Sequence, residues 1–193
     1  MYFVVNKDKG SDTEVDGRYY INVTLPLQEL VNGTVTTIER TYKFLLDTGA
    51  NVSLVPTSML FGENLIKAVG VEGLMKNQEM RMCGTANKDN PVRGWYCRLP
   101  QIKVASHLLM NFTFLASDQI KEVYGILGCD FIDACKHSHD IGSSWIFRQF
   151  SPSEYRENWT HIRGDNNDVG LIDLCATDIT ASIIPINLPM EFD

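Results

Sequence analysis

Phe-Leu-Leu-Asp-Thr-Gly-Ala-Asn-Val-Ser-Leu-Val-Pro, residues 44–56, is the stretch that decides the fold. An apolar run leads into one carboxylate, Asp47, which is followed by a tight Thr-Gly turn and a second apolar run. This pattern predicts an aspartate held at the end of a strand among apolar neighbours. Because a carboxylate is costly in such a setting, we expect its charge or its proton to be used.

Length and composition limit what the chain can be. It has 193 residues, 44% of them hydrophobic, which suits one domain with extensions or at most two small domains. The net charge is −7 and no basic block occurs, so a nucleic-acid partner has no electrostatic support. We expect no membrane partner, because no apolar run could span a bilayer and no secretory leader follows Met1. The odd number of cysteines, without Cys-x-x-Cys spacing, indicates reduced thiols and a cytoplasmic location.

Short β-prone segments separated by turns occur along most of the chain. Strands are predicted at 2–6, 19–25, 36–46, 52–55, 78–83, 92–104, 110–116, 124–127 and 144–150. The pair Asn32-Gly33 predicts a turn, and brief helices are predicted within 57–65 and 130–136. Cys129 is expected to be a small buried residue. The pattern as a whole predicts an all-β fold, either a small closed barrel or a sandwich.

The composition changes after Phe150, where a polar, turn-rich segment is followed by an apolar and acidic one. We therefore divide the chain into an N-terminal strand or extension (1–18), a main domain (19–150) and a C-terminal extension (151–193). The segment 151–170 is predicted to be a linker or a surface loop.

A second motif, Gly-Ile-Leu-Gly-Cys-Asp-Phe-Ile at 125–132, places Gly128 81 residues after Asp47. Together, this motif and the Leu-Leu-Asp-Thr-Gly-Ala of 45–50 resemble the retropepsin family, the aspartic proteases of retroviruses and LTR retrotransposons and their cellular relatives. The family pattern is two apolar residues and Asp-Thr/Ser-Gly-Ala, then two apolar residues, Gly and a short helix. The resemblance covers roughly residues 19–150.

The resemblance implies a small closed barrel with one short helix after the Ile-Leu-Gly motif, and it implies a role for each matching residue. The catalytic residue would be Asp47, the active-site turn Thr48 and Gly49, the substrate-binding positions Ala50, Asn51 and Ile126, and the supporting positions Leu127 and Gly128. Gly49 would let the backbone turn sharply beside the carboxylate, and the Thr48 hydroxyl would bond to a partner chain. Many viral members have Asp where this chain has Asn51, so charged contacts at that position are not carried over.

Peptide hydrolysis by this chemistry needs two carboxylates that share one proton, and no metal or other cofactor. The chain has one Asp-Thr-Gly, so the simplest arrangement is a homodimer with its twofold axis between two Asp47 residues. The rival is a two-lobed, pepsin-like monomer with Asp140 in a second motif at 140–144. That motif lacks a preceding apolar run, and we expect Asp140 to begin the last strand of the same domain.

The family also has a flap, a hairpin that closes over the substrate. Two segments compete for this role, 70–73 and 84–90. We prefer the second, with Gly84, Thr85, Ala86 and Asn87 at its tip, because predicted strands flank it on both sides. At the dimer interface, the strand at 2–6 would meet a C-terminal strand at either 144–150 or 183–188.

The expected function is therefore that of a homodimeric aspartic endopeptidase acting on extended peptides. The resemblance suggests processing of a retroelement or viral polyprotein, in the cytoplasm or within a virus-like particle. The alternative is a catalytically silent module of the same fold that serves in dimerisation or binding. The potential metal ligands at 135–140 match no common zinc spacing, so no metal is expected.

Overall fold

Strands account for most of the chain described by the computed structural model, which covers residues 2–6, 18–76, 80–83, 91–105, 107–134, 137–140, 144–148 and 171–173. The strands are β1 (Tyr2–Asn6), β2 (Tyr19–Val31), β3 (Thr34–Leu46), β4 (Leu54–Pro56), β5 (Arg81–Cys83), β6 (Val92–Val104), β7 (His107–Ser117), β8 (Gly125–Leu127), β9 (His137–Asp140), β10 (Ser144–Arg148) and β11 (Leu171–Asp173). The helices are α1 (Glu63–Val69), α2 (Val71–Leu74) and α3 (Cys129–Ala134), and a 3-10 turn spans Thr57–Met59. No helix in these ranges has the length and apolar character needed to cross a membrane.

The two 13-residue strands β2 and β3 pair along their full length as one antiparallel hairpin. Their connection is the predicted Asn32-Gly33 turn, with φ of 51° and 75°. Positive φ at both residues is what a two-residue type I′ hairpin turn requires. The side chains of β2 that face the core alternate along the strand, and they are Ile21, Val23, Leu25 and Leu27.

Six strands close into a barrel in the order β6-β2-β3-β8-β4-β7, and β7 pairs back to β6. The short strands β5 and β11 add to β6 outside this ring. The prediction of an all-β fold with a small closed barrel is confirmed. Two of the neighbouring pairs, β3 with β8 and β4 with β7, are parallel. The parallel pairs bring segments distant in sequence side by side.

Aromatic side chains fill the barrel beneath both motifs. Phe112 packs against Phe114 with ring centroids 4.8 Å apart, and Phe44 lies 5.7 Å from Phe114. Phe131 joins the cluster at 6.0 Å from Phe112, and all four rings are fully buried. Phe44 lies three residues before Asp47 and Phe131 lies in α3, so one aromatic core supports both motifs.

The helices differ from the prediction in two places, and one of them is α2, which lies where no helix is predicted. Instead of a single helix within 57–65, the 3-10 turn ends at Met59 and α1 begins at Glu63. The interruption arises because the chain between them pairs with β2: Gln28 N–H donates to Leu60 O at 2.8 Å, and Gly62 N–H donates to Gln28 O at 2.7 Å. The predicted helix after the Ile-Leu-Gly motif is present as α3.

A second sheet of three strands, in the order β1-β10-β9, is antiparallel throughout. The prediction that Asp140 begins the last strand of the domain is wrong. Asp140 ends β9 and lies opposite Ser144, because the chain pairs with itself around the connection between β9 and β10. From the C-terminal extension, β11 runs parallel to β6. The other predicted interface strand, 183–188, lies outside the described residues.

Candidate active site

Asp47 is the first residue after β3, and hydrogen bonds hold it on two sides. Its N–H donates to Leu127 O at 2.9 Å, which extends the parallel pairing of β3 and β8 by one residue. Within the turn, Gly49 N–H donates to Asp47 Oδ1 at 2.8 Å, and Ala50 N–H donates to Asp47 O at 3.2 Å. The carboxylate is partly exposed. It is thus held in place and still open to a reactant.

The parallel pairing of β3 with β8 places the two sequence motifs next to each other, with Leu46 opposite Leu127. The predicted site residues fall into three classes of exposure. Exposed residues are Thr48, Gly49 and Asn51; partly buried residues are Asp47, Ala50 and Ile126; buried residues are Leu127 and Gly128. The positions assigned to catalysis and substrate binding are therefore accessible, and those assigned to support are not.

Two glycines of the site leave little room for a side chain, and main chain crowds the second, Gly128, more closely than the Asp47 carboxylate crowds the first, Gly49. The φ of Gly49 does not lie in the left-handed region, so the expected backbone freedom is not what selects glycine there. A Cβ at Gly49 would lie 3.1 Å from Asp47 Oδ1. At Gly128 a Cβ would lie 2.6 Å from Ala50 O and 2.9 Å from the carbonyl carbon of Val52. Gly128 therefore lets the main chain that follows the turn lie directly on the start of α3.

The segment that leaves the turn is hydrogen bonded to the beginning of α3. Cys129 N–H donates to Ala50 O at 2.7 Å, and Asp130 N–H donates to Asn51 O at 3.3 Å. A helix leaves its first N–H groups without partners inside the helix. Here the carbonyl groups next to the active-site turn accept those hydrogen bonds.

Sequence reasoning missed two buried polar residues behind the turn, Ser53 and Asp130. Ser53 N–H donates to Asp130 Oδ2 at 2.8 Å across 77 residues of sequence. A signal was present, because Asp130 is the one charged residue in the apolar motif at 125–132. No feature of the sequence marked its partner, Ser53, in a comparable way.

Cys129 is partly exposed and lies against the turn, rather than being buried as expected. Its Sγ–H donates to Thr48 O at 3.2 Å. Desolvation raises the pKa of the Cys129 thiol, and the charges of Asp133, Asp130 and Asp47 raise it further. The thiol therefore keeps the proton with which it binds the turn.

An aromatic pair flanks β8 on its N-terminal side. Tyr124 packs edge-to-face on Tyr20 with ring centroids 5.7 Å apart, and Lys43 Nζ lies 4.1 Å from the centroid of the Tyr20 ring. These contacts hold the chain just before Gly125 and Ile126. In the sequence, Tyr124 directly precedes the motif at 125–132, but no pattern assigned a role to it.

The structure describes the base of the hairpin that was predicted to be the flap. Antiparallel pairing joins β5 to the first residues of β6, and Gly84, Thr85, Ala86 and Asn87 lie outside the described residues. At the base, Arg93 N–H donates to Gln119 Oε1 at 2.7 Å, and Ser117 Oγ donates to Arg93 O. The competing segment, 70–73, is occupied by α2 and forms no hairpin.

Within the part of the chain that the structure describes, no group of three His, Cys, Asp or Glu residues is placed to hold a metal ion.

Comparisons with known proteins bear on the family. A family profile described as aspartyl protease matches residues 30–131, more than half of the chain. A search of curated proteins found no match. Among solved structures, a retropepsin-like aspartic protease from Rickettsia conorii is similar, with 19% identity and a TM-score of 0.46, over 77% of this chain and 91% of that one. That likeness is distant, and the family assignment does not depend on it. The matched range holds both the Asp47 turn and the Ile126-Leu127-Gly128 motif that pairs with it, and the chain belongs to the aspartyl protease family.

Proposed function

We propose that the protein is an aspartic endopeptidase that acts as a homodimer. The observation that carries the proposal is the setting of Asp47, a partly exposed carboxylate held by its own turn and by Leu127 O. The chain has one Asp-Thr-Gly sequence, and the described residues form one barrel. Two carboxylates sharing a proton therefore require a second copy of the chain.

The proposed reaction uses Asp47 and the partner's Asp47. The ionised carboxylate accepts a proton from water while the water oxygen bonds to the carbonyl carbon of the peptide. The protonated carboxyl gives its proton to the carbonyl oxygen. The tetrahedral intermediate, now a gem-diol, then collapses: one of its hydroxyl protons returns to the ionised Asp47 carboxylate, the C–N bond breaks, and the nitrogen leaves as an amine with a proton from the other Asp47 carboxyl, so the pair again shares one proton. Because one member of the pair must stay protonated, we expect mildly acidic conditions to favour cleavage, and a rate still rising above about pH 8 would contradict the mechanism.

The substrate in this proposal is an extended peptide with apolar side chains near the cut bond. A retroelement or viral polyprotein as the natural substrate, and a cytoplasmic or virus-like-particle location, rest on the sequence resemblance only.

Cleavage of a peptide library tests the proposal. We expect wild-type protein to cut the library and pepstatin to inhibit it, Asp47→Asn to cut nothing, and sedimentation to show a dimer for both. The matched control is Asp140→Asn, which removes the carboxylate of the rival two-lobed site in β9 and should leave cleavage unchanged. A wild-type dimer that cuts nothing would favour the silent binding module, and a monomer at high concentration would refute the shared site.

Mixed dimers test the sharing directly. If two chains form one site, excess Asp47→Asn subunits should reduce the activity of a fixed amount of wild-type protein towards zero, because mixed dimers hold one catalytic aspartate. Activity that does not fall as the inactive chain is added would show that each chain has its own complete site.

A further inference from the structure

Asp130 is 6% exposed, and its carboxylate accepts hydrogen bonds from Ser53 and Phe131. Oδ2 accepts from Ser53 N–H at 2.8 Å, and Oδ1 accepts from Ser53 Oγ at 2.6 Å and from Phe131 N–H at 2.8 Å. The Ser53 hydroxyl accepts in turn from Gly128 N–H at 3.0 Å, so its own proton points to Asp130. One carboxylate thus joins the segment 50–53 to α3 and to the Ile-Leu-Gly motif.

Both oxygens of Asp130 must be acceptors for this set of donors. Asparagine has the same shape, but it replaces one acceptor oxygen with a donor NH₂ group. An N–H or O–H group of Ser53 or Phe131 would then face the NH₂ group of the asparagine, and two donors cannot form a hydrogen bond. A buried polar group without a partner is costly, so the segment would move or the hydrogen bonds would be lost. The position therefore requires a carboxylate.

We propose that Asp130 is a positioning residue for catalysis, which acts by holding Ser53 and, through the segment 50–53, the Asp47 turn. Leu127 O fixes one side of the turn through the N–H of Asp47, and Asp130 fixes the chain where it leaves the turn. Asp130 is buried, so it would act through Ser53 and not by direct contact with the substrate. This inference rests on the proposed function, because its main readout is peptide cleavage.

The test compares Asp130→Asn with Asp133→Asn, a matched change at an exposed residue three positions later in α3. Both kcat and KM are measured on dimers, at a temperature where circular dichroism shows each variant fully folded. We expect kcat/KM to fall about tenfold or more in Asp130→Asn, with a fall in kcat, and to stay at the wild-type value in Asp133→Asn. A role in stability alone would leave kcat and KM of the folded Asp130→Asn dimer unchanged, and that result would overturn the proposal.

Ser53→Ala provides a second variant, which removes the hydroxyl and keeps the main chain. It should also lower kcat, and the loss in the double variant should be smaller than the product of the two single losses, because both changes remove the hydrogen bond from Ser53 Oγ to Asp130 Oδ1. Losses that multiply would overturn the proposal. If Asp130→Asn does not fold, Ser53→Ala carries the test, and a wild-type kcat in that variant would refute the positioning role.

Amide hydrogen exchange separates this inference from the proposed function. We expect exchange at the N–H groups of Ser53 and Gly128 to be about tenfold faster or more in Asp130→Asn, and unchanged in Asp133→Asn. This readout does not need cleavage. A wild-type protein that cuts nothing would count against the proposed function, whereas unchanged exchange in Asp130→Asn would overturn the positioning role.

Discussion

A methyl group at Gly128 would test how closely the main chain around Asp47 must be held. In Gly128→Ala the new Cβ would lie 2.6 Å from Ala50 O, whereas ordinary contact begins at 3.4 Å. The segment after the turn must therefore move by about 0.8 Å, and it is main chain that cannot rotate away. We expect overpacking to lower the free energy of unfolding by about 1–3 kcal/mol.

The same displacement should reduce activity. A shift of about 1 Å at a reacting group can cost about a hundredfold in rate, so we expect kcat/KM to fall about ten- to a hundredfold in Gly128→Ala. Activity is measured with a fluorogenic peptide that the wild-type protein cuts. Stability is measured by urea unfolding at one protein concentration, because the unfolding of a dimer depends on concentration.

Gly33→Ala is the matched control. Its Cβ would meet no atom within 4 Å, but its φ of 75° strains alanine by about 1–2 kcal/mol. Gly33 lies at the opposite end of the 13-residue strand β3 from Asp47, about 40 Å along the strand. This variant should lose stability and keep full activity. The reasoning fails if Gly128→Ala loses stability and keeps wild-type kcat/KM, or if its stability does not change.

Three further predictions follow from titratable side chains. Complete burial raises the pKa of Cys97 to about 12, so alkylation at about pH 8 should spare Cys97 in the native protein and label it in urea, as read by peptide mapping. Burial raises the pKa of Tyr42, against the opposing charge of Arg40; its contribution to stability is complete below about pH 10 and is lost as the pH rises through the folded-state pKa. An absorbance titration should therefore include a tyrosine that ionises above the ordinary tyrosine range, and Tyr42→Phe should remove its contribution. The hydrogen bond and charge of Lys67 lower the pKa of Glu63, so this pair contributes at neutral pH and is lost as the pH falls through the folded-state pKa of Glu63; because both groups are exposed, Glu63→Gln should change the melting temperature by less than about 2 °C.

Local sequence patterns predicted the parts of the fold that local physics controls. Asn32 and Gly33 accept positive φ at low cost, and the predicted turn joins β2 to β3, although both strands are longer than the predicted 19–25 and 36–46. Short β-prone segments separated by turns predicted the barrel or sandwich, and in β2 the apolar residues alternate to form one buried face. The candidate site could also be predicted from the sequence. Each of its two parts, the apolar residues around Asp47 and the Ile126-Leu127-Gly128 motif, is contiguous in sequence.

Contacts between distant segments could not be predicted in the same way. The helix predicted within 57–65 is interrupted because Gln28, in a separate hairpin, takes the hydrogen bonds of residues 60 and 62. Ser53 carries no local mark of its role, since its partner Asp130 lies 77 residues away in sequence and becomes a neighbour only in the folded barrel. In both cases tertiary hydrogen bonding decided what local propensity left open.

The hydrogen bonds around Asp47 also bear on when the site can form. Among the described residues, two short-range bonds define the turn itself, from the N–H groups of Gly49 and Ala50 to Asp47. The remaining restraints come from the segment 127–130, which reaches the turn through the parallel pairing of β3 with β8. An isolated turn with so few bonds cannot offset the conformational entropy of ordering it. A chain in which α3 has not docked therefore has the sequence of the site without its geometry, so the activity proposed for Asp47 depends on a complete barrel.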